Sequence, residues 1–461
     1  MKLPPKVRGL VLFLSVFLIP RTISHAEGPL FVGGPPSAGV PNSVPGLPFV
    51  WNSGSNIDSG VVFTSRTTLN YWTDLGTLGT LSKPNADALA ANAFAAWQAV
   101  PTTFIAFNKA GDLSANVTAA NFFAVDNALG ACSVPLSPSG IAKPVTVIYD
   151  TDGSIIKAEG EDPNMLLGEA SPVCLAGNGT NSNFFFRGIA ILNGKPLSSG
   201  FTPTDLQAVM THEFGHLIGL DHSQINLHCF TKSRVCTSSD LAGVPIMFPV
   251  LLQPPQTSPT TDDQAAVSTL YPETTNPLPS GKVLFTSLGR IQGNIRFTDG
   301  ITAAQGFNVI ARNTSNPGTI AVSNVSGFLF TADAGNAVVP SSLTEEPFGS
   351  HDTTLYGFFD IPGLPPGTYT LEVEGINNSG VFPFVFGSSV GPVGELGFQF
   401  LLPGPCSPQF LANETTHAAT CGGPADPPPA PLSVTSGAPL TGEDIILIGS
   451  SPRCDAWEDC P

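Results

Sequence analysis

The chain has 461 residues, a formal net charge of −17, only 11% charged residues, and many glycines (48) and prolines (45). That length exceeds one ordinary domain and predicts two or three. The acidic balance excludes nucleic acid and anionic membrane surfaces as partners, and the scarcity of charge beside so much Gly and Pro predicts strands, turns and loops with few helices.

Residues 1–26 read as a secretory signal peptide. Lys2, Lys6 and Arg8 precede an apolar run from Leu10 to Ile19, and Ser24-His25-Ala26 fits a small-x-small cleavage site after Ala26. The run is too short to cross a bilayer core of about 30 Å, and no later stretch is long and apolar enough either, so no membrane insertion is expected. Cleavage removes four of the 18 basic residues and none of the 35 acidic ones, which takes the net charge to about −21. The expected location is secreted and extracellular, or periplasmic in a bacterium. All eight cysteines follow the leader, an even set that reads as disulfides in an exported chain. Sequence order suggests Cys132 with Cys174, Cys229 with Cys236, Cys406 with Cys421 and Cys454 with Cys460, although spacing alone leaves the connectivity open.

Residues 27–60 are rich in Pro, Gly and Ser and read as an extended arm or short pro-segment. A sheet-and-helix region, 61–273, follows. VVFTS and LNYW (61–72), TFIAFN (103–108) and VTVIYD (145–150) have the β-branched and aromatic content of strands. Leu89, Ala93, Ala96, Trp97 and Val100 recur at helical spacing after an Asn85 cap, and Pro101 lies beyond their end. A second helix is expected from Thr202, where Thr-Pro-Thr-Asp supplies a cap, a first-turn proline and an acid, running to Gly219. A third spans TDDQAAVSTLY (261–271). DTDGS places Asp150 and Asp152 on a turn, where two close carboxylates either hold calcium or belong to an Asp-Gly hairpin. Residues 274–283 form a linker within the run that begins PETTNPLPS at Pro272. Between 284 and 402 the texture turns to short alternating strands, GRIQGNIRFTDG, GFNVIARN and GFFDIPGLPPGTYTLEVEG, which predict an antiparallel β-sandwich. Residues 403–461 are a Pro- and Cys-containing tail with one more strand candidate, EDIILIG at 443–449.

The chemistry is concentrated in THEFGHLIGLDHS, residues 211–223, which holds three of the seven histidines. Helical positions four apart share a face, so His212 and His216 point the same way and can bind one ion, with Glu213 beside them. Gly219 permits a sharp turn, and His222 then supplies a third ligand. Three histidines leave a tetrahedral zinc one open position, as in catalytic sites, and Glu213 is the candidate general base.

The string HEFGHLIGLDH, followed by PIMFP at 245–249, resembles the metzincin metallopeptidases, whose motif is HExxHxxGxxH with a later Met-turn. The resemblance implies that Met247 is the Met-turn methionine, an apolar floor beneath the histidines. It is closest to the matrixin branch, because Ser223 follows the third histidine and DDQAAVSTLYP matches the closing helix, while Pro249 stands where astacins and serralysins place a tyrosine. By the same resemblance LLGEASPV (166–173) is the strand that pairs with substrate. Three features depart from vertebrate matrixins. Outside the motif only His228, His351 and His417 follow the leader, so a second zinc lacks histidines; no cysteine between 27 and 131 can form a cysteine switch; and Cys229 and Cys236 sit in an insertion, as a local staple. Residues 284–377 resemble carboxypeptidase regulatory-like and related immunoglobulin-like sandwich modules.

The expected fold class is therefore α+β: a metzincin-type domain with a twisted mixed sheet and about three helices, followed by an antiparallel immunoglobulin-like sandwich. The expected function is zinc-dependent endopeptidase activity on protein or peptide substrates, with one catalytic zinc and calcium as a further candidate ion. The rival from another class is an extracellular adhesive protein in which zinc is structural and the sandwich does the binding. Oligomeric state and substrate preference are not legible in the sequence.

Overall fold

The computed structural model describes residues 28–34, 42–51, 68–129, 143–177, 179–231, 235–297, 300–304, 306–329, 350, 352–375 and 430–448, with isolated strands at 13–15, 409–410 and 418–420. The fold mixes helices with one largely parallel sheet and two further sheets. The expected signal peptide, apart from 13–15, and VVFTS lie outside the described residues.

The first sheet contains β1 (Phe13–Ser15), β2 (Phe49–Trp51), β3 (Thr68–Thr73), β4 (Ala106–Asp112), β5 (Val145–Asp150), β6 (Leu166–Gly177) and β7 (Asn183–Asn193). Its order is β1-β6-β7-β5-β3-β4, with β2 also on β7. Every pairing is parallel except β6 with β7. Strand β6 lies between β7 and the three residues of β1, which close that side of the sheet.

Among the described residues seven α-helices accompany the strands: α1 (Lys83–Gln98), α2 (Phe122–Ala128), α3 (Ser154–Glu159), α4 (Pro203–Leu217), α5 (His228–Thr231), α6 (Ser238–Ala242) and α7 (Thr261–Leu270). Helix α1 starts two residues before the expected Asn85 cap, because Pro84 occupies its first turn and Ser82 is the cap. In α4 the expected cap forms: Thr202 Oγ1 accepts from Asp205 N, and Asp205 accepts in return from Thr202 N at 2.8 Å. Apolar residues of α1 and α4 fill one face of the sheet. Phe94 and Phe214 stack with centroids 3.9 Å apart, and Trp97, Leu206, Val209 and Met210 are fully buried around them. The opposite face carries a smaller cluster of Ile148, Ile155, Ile156, Ile189 and Ile191 under α3.

Residues 28–34 and 42–51 fall in the stretch expected to be an arm, yet Leu30, Phe31, Phe49, Val50 and Trp51 are buried in the main core. Phe31, Phe49 and Trp51 surround the Phe185 ring. This part of the stretch is a structural layer of the domain.

The C-terminal region is a two-sheet sandwich. One sheet holds β9 (Phe307–Asn313), β10 (Ala321–Val325), β12 (Gly367–Gly375), β13 (Gln409–Phe410) and β15 (Leu432–Val434), all antiparallel. The other holds β8 (Gly289–Arg296), β11 (Phe358–Leu364), β14 (Ala418–Thr420), β16 (Pro439–Thr441) and β17 (Ile445–Ile448). Within 284–402 the described pairings are antiparallel as expected, whereas strands from the tail break the pattern: β16 and β17 run parallel to β8, and β14 runs parallel to β17. The tail returns to the sandwich and supplies strands to both sheets, so EDIILIG is a strand of the core, with Ile445 fully buried.

The predicted linker is fastened to the first domain. Glu273 N donates to Thr102 O, Val283 N donates to Pro101 O, and Lys282 Nζ donates to the carbonyls of Gln98 and Val100. Among the described residues no helix is long and apolar enough to cross a membrane.

Candidate metal centre

Helix α4 ends at the centre of the candidate site. Gly219 has φ +95°, and a Cβ there would lie 2.7 Å from the Phe185 ring, so both conformation and space require glycine. The reversed chain returns along Leu30: Leu30 N donates to Gly219 O and Asp221 N donates to Gly28 O. The turn thereby brings His222 beneath His212 and His216.

The three Nε2 atoms converge, with His216 3.0 Å from His212 and from His222, and His222 3.2 Å from His212. All three rings are buried. His212 Nδ1 donates to Ile246 O at 2.7 Å and His216 Nδ1 donates to Leu220 O at 2.8 Å. A carbonyl only accepts, so in a neutral imidazole each Nδ1 carries the proton and each Nε2 presents a lone pair. Burial also favours the neutral rings: it lowers His212 and His222 well below the usual imidazole range and His216 to about 4. Converging lone pairs at this distance repel one another unless a cation lies between them. Nitrogens about 2.0–2.1 Å from one tetrahedral ion are roughly 3.3 Å apart, which the observed triangle approaches. The triad can hold a metal ion.

Glu213 lies on the same helix with both carboxylate oxygens buried and no hydrogen-bond donor. Burial alone raises its carboxyl well above the ordinary range. Strand β6 leaves it room through Gly168, where a Cβ would lie 3.0 Å from Glu213 Cγ. Strand β6 contains the expected segment LLGEASPV, and it passes beside the carboxylate.

Met247 is fully buried beneath this group. Its backbone N and that of Ile246 donate to the two oxygens of Asp263, while Ser223 N donates to Met247 O. A Cβ on Gly215 would collide with Met247 Sδ and lie 2.9 Å from Trp97, so the glycine inside HEFGH lets the helix rest on the methionine. Trp97 Nε1 donates to Thr211 O at 2.8 Å and fixes α4 one residue before the first ligand.

Gly215, Trp97, Asp262 and Asp263 are the supporting residues that sequence reading missed. Trp97 was visible only as a core position, and the two acids only as helix N-terminal charges, since nothing local reveals what a side chain grips across the fold. Beside His212 lies an apolar pocket walled by Val244, Pro245, Ile246, Phe248, Val250 and Leu252.

The other sequence candidates lie elsewhere. Asp150 Oδ2 accepts from Ile155 N and Ile156 N, so it satisfies first-turn N–H groups of α3, whose N-cap residue is Gly153, and Asp152 accepts from Ser154 N on the surface. A helix follows this turn, so DTDGS is not a hairpin; Gly153, at φ +81°, turns the chain into α3. Cys229 and Cys236 form the expected disulfide, so their sulfurs are not thiolate ligands although His228 adjoins them. Cys174 is disulfide-bonded, and its expected partner Cys132 lies outside the described residues, as do Cys406, Cys421, Cys454, Cys460, His351 and His417.

No protein-family model matches the chain, and no curated protein matches it. The geometry of the metal centre itself therefore carries its functional reading.

Proposed function

We propose that this chain is a secreted zinc-dependent endopeptidase of the matrixin-like metzincin kind, hydrolysing peptide bonds in protein or peptide substrates. The observation that carries the reading is the convergence of three imidazole Nε2 atoms next to Glu213, a buried carboxylate without a donor. Among the described residues no fourth ligand joins the triad, which favours an open site over a closed structural one.

His212, His216 and His222 would hold the zinc, which when bound would supply Lewis-acid polarisation of a carbonyl and a water acidic enough to react near neutral pH. Glu213 accepts the proton of that water and returns it to the leaving amine nitrogen. The carbonyls of Ile246 and Leu220 hold the His212 and His216 rings in the required tautomer and orientation. Beyond β7, strand β6 pairs only with β1, which falls within the expected signal peptide, so removal of that leader would open an edge to a substrate peptide, and the pocket beside His212 is the candidate place for a substrate side chain.

Chelation distinguishes this reading from a structural metal. Phenanthroline treatment is expected to abolish casein cleavage while the circular dichroism spectrum is retained, and added zinc is expected to restore turnover. Unfolding on metal removal, with no turnover to restore, would instead support a structural zinc in a binding protein.

A further inference from the structure

The four residues after the third histidine are engaged with the C-terminal sandwich, Ser223 through Asp262 of α7 and the other three directly. Ser223 Oγ donates to Asp262 Oδ2 at 2.6 Å, and Asp262 in turn accepts from Ser323 N of β10 at 2.7 Å. Gln224 Nε2 donates to Glu374 of β12 at 2.7 Å. Ile225 packs with Ile310 and Ala321 in a fully buried cluster. Asn226 Oδ1 accepts from Arg312 Nη1 at 2.9 Å, while its Nδ2 donates to Gly318 O and to Asp240 O. Arg312 is itself buried and paired with Glu372 at 2.6 Å. Asn226 sits at φ +59°, a left-handed conformation that a non-glycine residue keeps only where its surroundings hold it.

These contacts are directional, buried, and belong to one continuous loop whose first residue is a metal ligand. A spacer module would meet its neighbour through a small polar contact and move freely against it. Here the backbones themselves are in contact: a Cβ on Gly243 would overlap Gly318 O, and one on Gly363 would lie 2.7 Å from Ala265 of α7.

We propose that the C-terminal sandwich is a positioning element of the metal centre, holding the His222 loop through Asp262, Asn226 and Arg312. The proposal rests on the metal-site reading above. On this account the sandwich fixes the third ligand from outside the first domain, as hydrogen-bonded supports commonly do for metal ligands. Residues 307–325 and 367–375 thereby belong to the metal site as much as the helix that bears its first two ligands.

The test is the rate at which full-length protein, loaded with zinc, releases it to excess chelator. Asn226→Gly keeps the left-handed backbone and deletes the side-chain contacts. The paired change Arg312→Met with Glu372→Leu removes both buried charges together, so neither is stranded. As control, Ile291→Ala destabilises the sandwich core away from the loop. The proposal predicts release at least about tenfold faster in Asn226→Gly and in the paired variant, with Ile291→Ala within about twofold of wild type, the lower end of support-residue effects on metal affinity. Wild-type release rates in both interface variants, or equal acceleration in Ile291→Ala, would overturn the positioning role. Wild type that binds no zinc would overturn the metal-site reading itself, an outcome distinct from either.

Discussion

Gly215 shows how much of the metal centre depends on what is missing from a side chain. In an exposed helix interior, replacing glycine by alanine adds roughly 1 kcal/mol of stability. Here the added methyl meets Met247 Sδ and the Trp97 ring, both fully buried. Gly215→Ala is therefore expected to lose about 1–3 kcal/mol, the range for overpacking, read as a lower urea midpoint. A gain in stability would mean that the methionine floor yields easily and does not support the helix. The ligands themselves were legible because helical spacing alone places His212 and His216 on one face, and a glycine followed by a histidine gives the return. The contacts of Gly215 were not legible, since Met247 and Trp97 are distant in sequence and only the closed fold brings them to it.

Among elements, β12 carries an unusual load of charge for a buried strand, with Glu372 and Glu374 on the side facing Arg312 and Gln224. Burial pushes the Glu374 carboxyl up to about 7; Glu372 adds to the shift, while Asn308, Gln224 and Arg312 oppose it. An acid whose pKa is raised by folding binds its proton more tightly in the native state. Its stabilisation is complete below its unfolded value of 4.5 and is lost as pH rises through about 7. Over that window wild type should lose stability on the order of a few kcal/mol more than Glu374→Gln does, measured by urea unfolding at intervals from about pH 5 to pH 8. Parallel pH profiles for the two proteins would contradict this. Elements with a strong local signature, such as the Thr202 cap of α4 and the alternating strands of the sandwich, were readable in the sequence. Helix α3 was not, because Asp150 and Gly153 serve equally well in a hairpin or a calcium loop until Ile155 and Ile156 are seen to bond to the aspartate. The parallel strands β16 and β17 escaped for a related reason: alternation marks a strand but not the direction in which it pairs.

On the scale of the whole molecule, the boundaries suggested by composition are weaker than they look. A Pro-rich run read as a linker is tied to α1's C-terminal turn by Lys282, and a Pro- and Gly-rich run read as an arm supplies core aromatics. Composition reports local backbone preference and says little about docking. Ala265 of α7 packs in the sandwich core, so the two regions share apolar surface as well as hydrogen bonds. Calorimetry on the full chain should accordingly show both regions melting in one transition, and Gly243→Val, which forces a side chain against Gly318, should split it in two. Two separate transitions in wild type would mean that the interface is too weak to couple them.

The account stands most directly on Glu213, the buried carboxylate beside the triad that has no hydrogen-bond donor. The decisive measurement is zinc content and peptide-library cleavage for wild type and Glu213→Ala, determined side by side on the same preparations. Wild type should carry one zinc per chain and cleave, whereas Glu213→Ala should keep its zinc and lose cleavage by about 100-fold or more, the scale of general acid–base catalysis. Undiminished cleavage by Glu213→Ala, or zinc-loaded wild type that cleaves no peptide in the library, would contradict it.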